Sequence, residues 1–335
     1  MTISSGVLTP AQYVNTILGS GVTISNVTFS GNDAQIGTFG GTSNIGFPVG
    51  GVVLSTGAVS ELVGIASATA AGQTNVSGIG NGDLYGLATS VNNSGGTISN
   101  TTDLSMLEFD FVPSSNQVTF NFVFASEEYL VWANSVFNDV FGFFVSGPGI
   151  SGPYSAPNGF ANGSSNFALV PGTTYPVTVN TIHPNINSQY YVSNDGGLTH
   201  TMNGFTVPLE VNLNVAPGFV YHIKLAIADC SDNYLSSAIF IGANSFISFG
   251  SQANFENHIP SNISISPNPT YDYIKVSIPE QFTGVSYDLS DQCGKTVFKG
   301  NLSETTNTID LTNLAKGIYF FSVEGMAAVE RVVKN

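Results

Sequence analysis

The chain has 335 residues, of which 22 are acidic and only 7 are Lys or Arg, a formal net charge of −15. So few cations exclude a phosphate-reading surface for nucleic acid and a polybasic membrane patch. No apolar run reaches the roughly 18 residues a membrane-spanning helix needs, so no transmembrane segment is expected.

In chain order, Met1–Gly6 carries no positive charge and no apolar run follows, so no secretory signal is legible there. Residues 9–19 predict the one helix, with Thr9 as N-cap, Pro10 at the first helical position and Gly19 as the stop. Residues 64–101 are rich in Gly, Ser, Ala, Thr and Asn and read as a long surface excursion. Further on the period is two. Val118, Phe120, Phe122 and Phe124 form one row, Phe141, Phe143 and Val145 a second, and Ile223, Leu225 and Ile227 a third. Short strands between Gly, Pro and Asn turns predict an all-β protein whose residues 1–249 form a large antiparallel, jelly-roll-like β-sandwich. Residues 250–262 are polar and aperiodic and read as a linker. The charge pattern steps there too: residues 1–259 hold 14 acidic residues and one basic residue, Lys224, whereas residues 260–335 hold 8 and 6. Residues 263–335 read as a second, small sandwich of about seven short strands.

Three carboxylates stand out by strand parity. Alternate residues of a strand share one face. The Phe120 row continues to Glu128, the Ile223 row continues to Asp229, and Asp139 precedes the Phe141 row. Each carboxylate is therefore expected at the end of a core-facing row. A buried carboxylate costs several kcal/mol unless it is paired or hydrogen-bonded. Lys224 lies on the opposite parity from Asp229 and is a poor partner. Three solutions remain: N–H donors of the loops with Ser126, protonation, or a cation. Hard oxygen donors favour Ca²⁺, with Glu127, Asn138 and Asp232 as further ligands.

Catalytic patterns are weak. Glu127 and Glu128 are adjacent and would point to opposite faces, so they do not make a facing glycosidase pair. Glu128 with Asp139 would, and an extracellular glycan hydrolase is the alternative function. The histidines 183, 200, 222 and 258 are scattered, and no G-x-S-x-G elbow occurs. Cys230 reads as a small buried side chain. Tyr129 and Trp132 lie in the loop beside the acidic residues, where exposed rings would form a glycan platform; the plainer expectation is that Trp132 plugs the end of the sandwich.

Two resemblances follow from ordered sets of motifs. The segments Pro267-Asn268-Pro269, Asp291-Gln292-Cys293-Gly294-Lys295 and Leu314-Ala315-Lys316-Gly317-Ile318-Tyr319, with a basic residue at the end of the chain, resemble the type A sorting domain of type IX secretion substrates in Bacteroidota. That resemblance implies an Ig-like sandwich, a translocon as partner, and a secreted or outer-membrane-surface location. The segments Gly50–Gly57, Phe122–Tyr129, Phe137–Phe144, Asn166–Thr173 and His222–Asp229 leading into Ser237–Phe240 resemble the choice-of-anchor L domain over residues 8–248. That domain occurs in bacterial surface proteins with alternative C-terminal anchors, and implies surface display with a binding, adhesive or structural role toward a glycan or a host or matrix polymer. This chain has Ser236 where the family often has an acidic residue.

Overall fold

The computed structural model describes residues 1–41, 44–66, 76–249, 264–278, 280, 283–291, 295–323 and 329–335. The expected linker, 250–262, and residues 292–294 of the Asp291–Lys295 motif lie outside the described residues. By contacts the chain divides into two units, Met1–Ser251 and Gln252–Asn335.

In chain order the first unit runs β1 (Thr2–Ser5), α1 (Pro10–Ile17), β2 (Val22–Ser30), β3 (Ile36–Gly40), β4 (Gly51–Ser55), α2 (Gly82–Ser90), β5 (Thr101–Pro113), β6 (Gln117–Ser126), β7 (Val140–Ser146), β8 (Ser165–Asn166), β9 (Tyr191–Ser193), β10 (Gly204–Thr206), β11 (Leu209–Asn214), β12 (Tyr221–Cys230), β13 (Ser237–Gly242) and β14 (Ile247–Phe249). Strands β1-β3-β4-β13-β6-β10-β9 form one antiparallel sheet, with β11 and β14 also paired to β6. Strands β2-β5-β12-β7-β8 form the other. The expected all-β sandwich is therefore the fold.

The period-two rows meet between the sheets. Phe120, Phe122 and Phe124 of β6 face Phe141, Phe143 and Val145 of β7 and Ile223, Leu225 and Ile227 of β12 in one buried cluster. Rings pack directly across the gap, Phe120 on Phe143 with centroids 4.9 Å apart and Phe122 on Phe141 at 5.1 Å. Each such side chain removed from water contributes about 1.5–3 kcal/mol. The residues of opposite parity are not left in water. Val123, Ala125 and Phe240 are covered on the outer side of the larger sheet by Phe39, Val59, Leu62 and Met202. On the outer side of the smaller sheet, Ala226, Ala228 and Cys230 of β12 are small enough to seat α2 through Leu84, Leu87 and Ala88.

The first helix forms as expected. The Thr9 side chain accepts from Gln12 N–H, and the Gln12 side chain returns a bond to the Thr9 backbone. The helix stops at Ile17, and Gly19 serves a different purpose: its N–H donates to Phe246 O, and a Cβ there would stand 2.6 Å from Ile247 Cγ1. Of the surface excursion expected over 64–101, residues 67–75 lie outside the described residues, and the described part needs correction because it contains α2. Asn81 caps that helix by accepting from the N–H groups of Asp83 and Leu84, and tertiary burial of three apolar residues sustains a segment with little amphipathic signal of its own.

The second unit runs β15 (Ser264–Ser266), β16 (Tyr273–Ser277), β17 (Ser286–Ser290), β18 (Thr296–Asn301), β19 (Thr306–Asp310), β20 (Gly317–Val323) and β21 (Val329–Lys334). They form the sheets β15-β16-β19 and β18-β17-β20-β21. Ile274, Val276, Leu289, Ile309 and Phe321 lie at the core between them.

Candidate functional site: a buried carboxylate cluster

Strand β6 ends at Ser126, so Glu127 and Glu128 open the loop that follows it, and Asp139 closes that loop immediately before β7. Asp229 is the penultimate residue of β12 and keeps the inward parity of Ile223, Leu225 and Ile227. The register irregularity beside it falls on β5, where Asp103 takes a φ of 53°. The loop thus folds back over one end of the sandwich and brings strand ends from both sheets together.

Each acidic group finds a different solution to burial. Asp139 is fully satisfied by hydrogen bonds: Cys230 N–H donates to its Oδ1 at 3.0 Å, and the Ser237 hydroxyl donates to its Oδ2 at 2.7 Å. Glu127 turns away from this pair and accepts from Ser236 N–H at 3.0 Å. The Glu128 N–H donates to Ser126 Oγ at 2.9 Å, but Glu128 Oε2 has no partner. Asp229 Oδ1 likewise has none. Asp232 lies at the rim and accepts from Tyr234 N–H at 3.3 Å.

Burial, reinforced by the charges of Asp139, Asp232 and Glu127, pushes the Glu128 carboxyl up to about 10. Burial pushes Asp139 up to about 7, opposed by its hydrogen bonds with Ser237 and Cys230. Asp229 is driven well above the carboxylate range, by burial first and the neighbouring Asp139 second. Glu127 and Asp232 are raised by burial as well. Cationic relief is absent because Lys224 is committed elsewhere, 2.7 Å from Asp83 Oδ2 and 2.6 Å from Ser155 O on the outer face of the smaller sheet. Burial without a cation therefore favours the protonated carboxyls.

Several expected residues stand apart. Asn138 spends both ends of its amide on neighbours: its Oδ1 accepts from Asn180 N–H at 2.9 Å, and its Nδ2 donates to Ala88 O at 3.3 Å. Tyr129 is not an exposed ring but a core residue, packed edge-on against Tyr191 at 5.1 Å. Trp132 does not plug the sandwich end; it is 41% exposed, with Phe137 against its ring at 5.2 Å. Leu130 and Val131 beside it are exposed too. Cys230 is buried and its thiol is pushed up by that burial, which suits packing and not nucleophilic attack.

Asp103 is the functional-looking residue that sequence reasoning missed. It is buried, its Oδ1 collects the N–H groups of Val76, Ser77 and Gly78, and its Oδ2 has no partner. Within the Thr101-Thr102-Asp103-Leu104 run only the backbone kink sets it apart. The donor set of the cluster is all oxygen, as a hard divalent cation prefers. Among the described residues, however, no three His, Cys, Asp or Glu side chains converge closely enough to hold a metal ion. Glu128 and Asp139 are also sealed from solvent, at 2% and 1% exposure, and do not line an open substrate cleft.

The seven-strand second unit, residues 264–335, matches the model of the secretion system C-terminal sorting domain. Residues 2–247 match the model of the choice-of-anchor L domain, and the chain belongs to that family. The pairing makes it a secreted or cell-surface protein addressed to the type IX secretion system. No helix among the described residues is long and apolar enough to cross a membrane. No curated protein matches the chain. Among solved structures it is similar to a β-glucuronidase of an uncultured Clostridium sp., at 9% identity over 69% of this chain and 34% of that one, with a TM-score of 0.22. It is similar also to a β-1,2-glucanase from Parabacteroides distasonis, at 9% identity over 96% and 38%, with a TM-score of 0.27. A biofilm-associated protein BSP domain matches at 9% identity over 72% and 50%, with a TM-score of 0.19. The chain spans between a third and a half of the length of these structures.

Proposed function

We propose that the first unit is displayed cargo that binds a glycan or matrix polymer at the loop end of its sandwich, and that the second unit is the address read by the translocon. The observation that carries the binding role is the Leu130–Trp132 segment. It presents three apolar side chains to solvent from a loop whose two ends are fixed by Ser126, Cys230 and Ser237. An exposed indole on an anchored loop offers a flat apolar face without an ordering cost. A glycan array of wild type and Trp132→Ala tests this: signal lost in the variant supports the platform, and equal signals, or none, refute it.

Ca²⁺ is the cation this reading gives to the carboxylate cluster. The unpartnered, buried Glu128 Oε2 and Asp229 Oδ1 support it, with the carboxyls of Asp139 and Asp232 near enough to act on Glu128. Such binding displaces the retained protons, so it strengthens as pH rises. Calorimetric titration of the chelator-treated protein with Ca²⁺ at pH 8 is expected to release protons and raise the melting temperature; no heat and an unmoved transition would exclude the ion.

A further inference from the structure

The loop end also holds a cleft of about 320 Å³, walled by the residues that follow α2 and by the 175–187 loop. Among the described residues its lining contains no Asp, Glu, Lys, Arg or His. Uncharged amides and hydroxyls make up its polar part, from Asn93, Asn180, Thr181 and Asn187, and Ile186 and Tyr175 supply apolar surface.

The walls are fixed before any ligand arrives. Asn180 accepts from Asn134 N–H at 2.7 Å and donates to Ser135 O at 2.8 Å. Asn187 Nδ2 donates to Thr181 O at 2.7 Å, and the Thr181 hydroxyl donates to Pro176 O at 2.7 Å. The Asn187 amide oxygen accepts nothing from the described residues, and the Asn93 side chain engages none of them. Tyr175 is 56% exposed although its own backbone is bonded to Val170 and Thr173. The cleft therefore offers free amide donors and acceptors beside a solvent-facing ring on an anchored backbone.

We infer that this cleft is a subsite for a neutral carbohydrate, with the Tyr175 ring stacking on a sugar face and the free amide groups of Asn93 and Asn187 bonding its hydroxyls. A phosphorylated or carboxylated ligand finds no cation there, and a cationic one finds no carboxylate. A wholly apolar ligand would leave the amides unpaired. The inference rests on the glycan-binding reading and extends it. Ser135 N–H donates to Trp132 O at 3.1 Å while Ser135 O binds Asn180, so the two exposed rings stand on segments joined through one asparagine.

The test is calorimetric titration of the full-length protein with cellohexaose, laminarihexaose, mannohexaose, xylohexaose and maltohexaose, with a hexagalacturonate as the charged counterpart, each to about 5 mM. At least one neutral hexaose is expected to bind, and the hexagalacturonate is not. Tyr175→Ala and Asn187→Leu are each expected to weaken binding at least about fivefold. Tyr175→Ala should keep the wild-type melting temperature, whereas Asn187→Leu should lower it, because it removes the bond to Thr181 O and places Leu at a φ of 53°; only variants that keep the wild-type value are scored, and Asn93→Ala, at an exposed loop position, serves as the substitute for either. Binding lost in Trp132→Ala but within about twofold of wild type in the cleft variants overturns the subsite and leaves the platform standing. No binding by any neutral probe overturns both, and preference for hexagalacturonate overturns the neutral chemistry.

Discussion

At the scale of single residues, the carboxylate cluster couples stability to pH. Below about pH 4, Asp139 and Glu128 are protonated in both the folded and the unfolded chain. Above that the unfolded chain releases protons that the fold retains, so stability falls as pH rises, until about 7 for Asp139 and about 10 for Glu128. In Ca²⁺-free buffer, the first unit should melt at least about 3 °C higher at pH 5 than at pH 8 by calorimetry. Asp229→Asn should raise the pH 8 value and shrink the difference, because it removes a buried carboxyl that keeps its proton in the fold and loses it in the unfolded chain. A melting temperature that climbs with pH would mean that the carboxyls are ionised and compensated. The inward parity of Asp229 and Asp139 was legible from spacing alone, because β12 and β7 run unbroken beside them. Which oxygen finds a donor was not, since Cys230 N–H and the Ser237 hydroxyl reach Asp139 across about a hundred residues of chain that only the closed sandwich brings together.

At the scale of elements, the two helices show where local signals suffice. In α1 the Thr9, Pro10 and Gln12 side chains define the start without help from the rest of the chain. In α2 two glycines and a Thr-Ser end dilute the pattern, and the helix exists because Leu84, Leu87 and Ala88 are buried on β7 and β12. Its cap carries a measurable share. Asn81→Ala should cost about 1 kcal/mol in chemical denaturation, since it removes the acceptor for two helix N–H groups. Leu84→Ala should cost about 2–5 kcal/mol in the same measurement. If both changes prove silent, α2 is not part of the cooperative fold of the first unit.

At the scale of the whole molecule, the two units divide address from cargo. A chain ending at residue 249 should accumulate inside the cell, and the full chain should reach the surface or the medium, as read by fractionation and immunoblotting. Equal release of both forms would deprive residues 264–335 of their sorting role. The tail was legible because its turn and strand motifs occur in a fixed order. The end proposed to bind was only partly so. Spacing could nominate Trp132, but it could not show that Tyr129 is swallowed by the core or that a neutral cleft forms between the end of α2 and a loop some ninety residues later.

The burial of Lys224 in its pairing with Asp83 has a consequence for life outside the cell. It is the one Lys or Arg before residue 275, so a peptidase that cuts after basic residues meets no accessible bond in the described body. Such an enzyme can trim only from the far side, where Lys295, Lys299 and Lys316 lie on exposed segments. Shedding the address would then leave the displayed body whole.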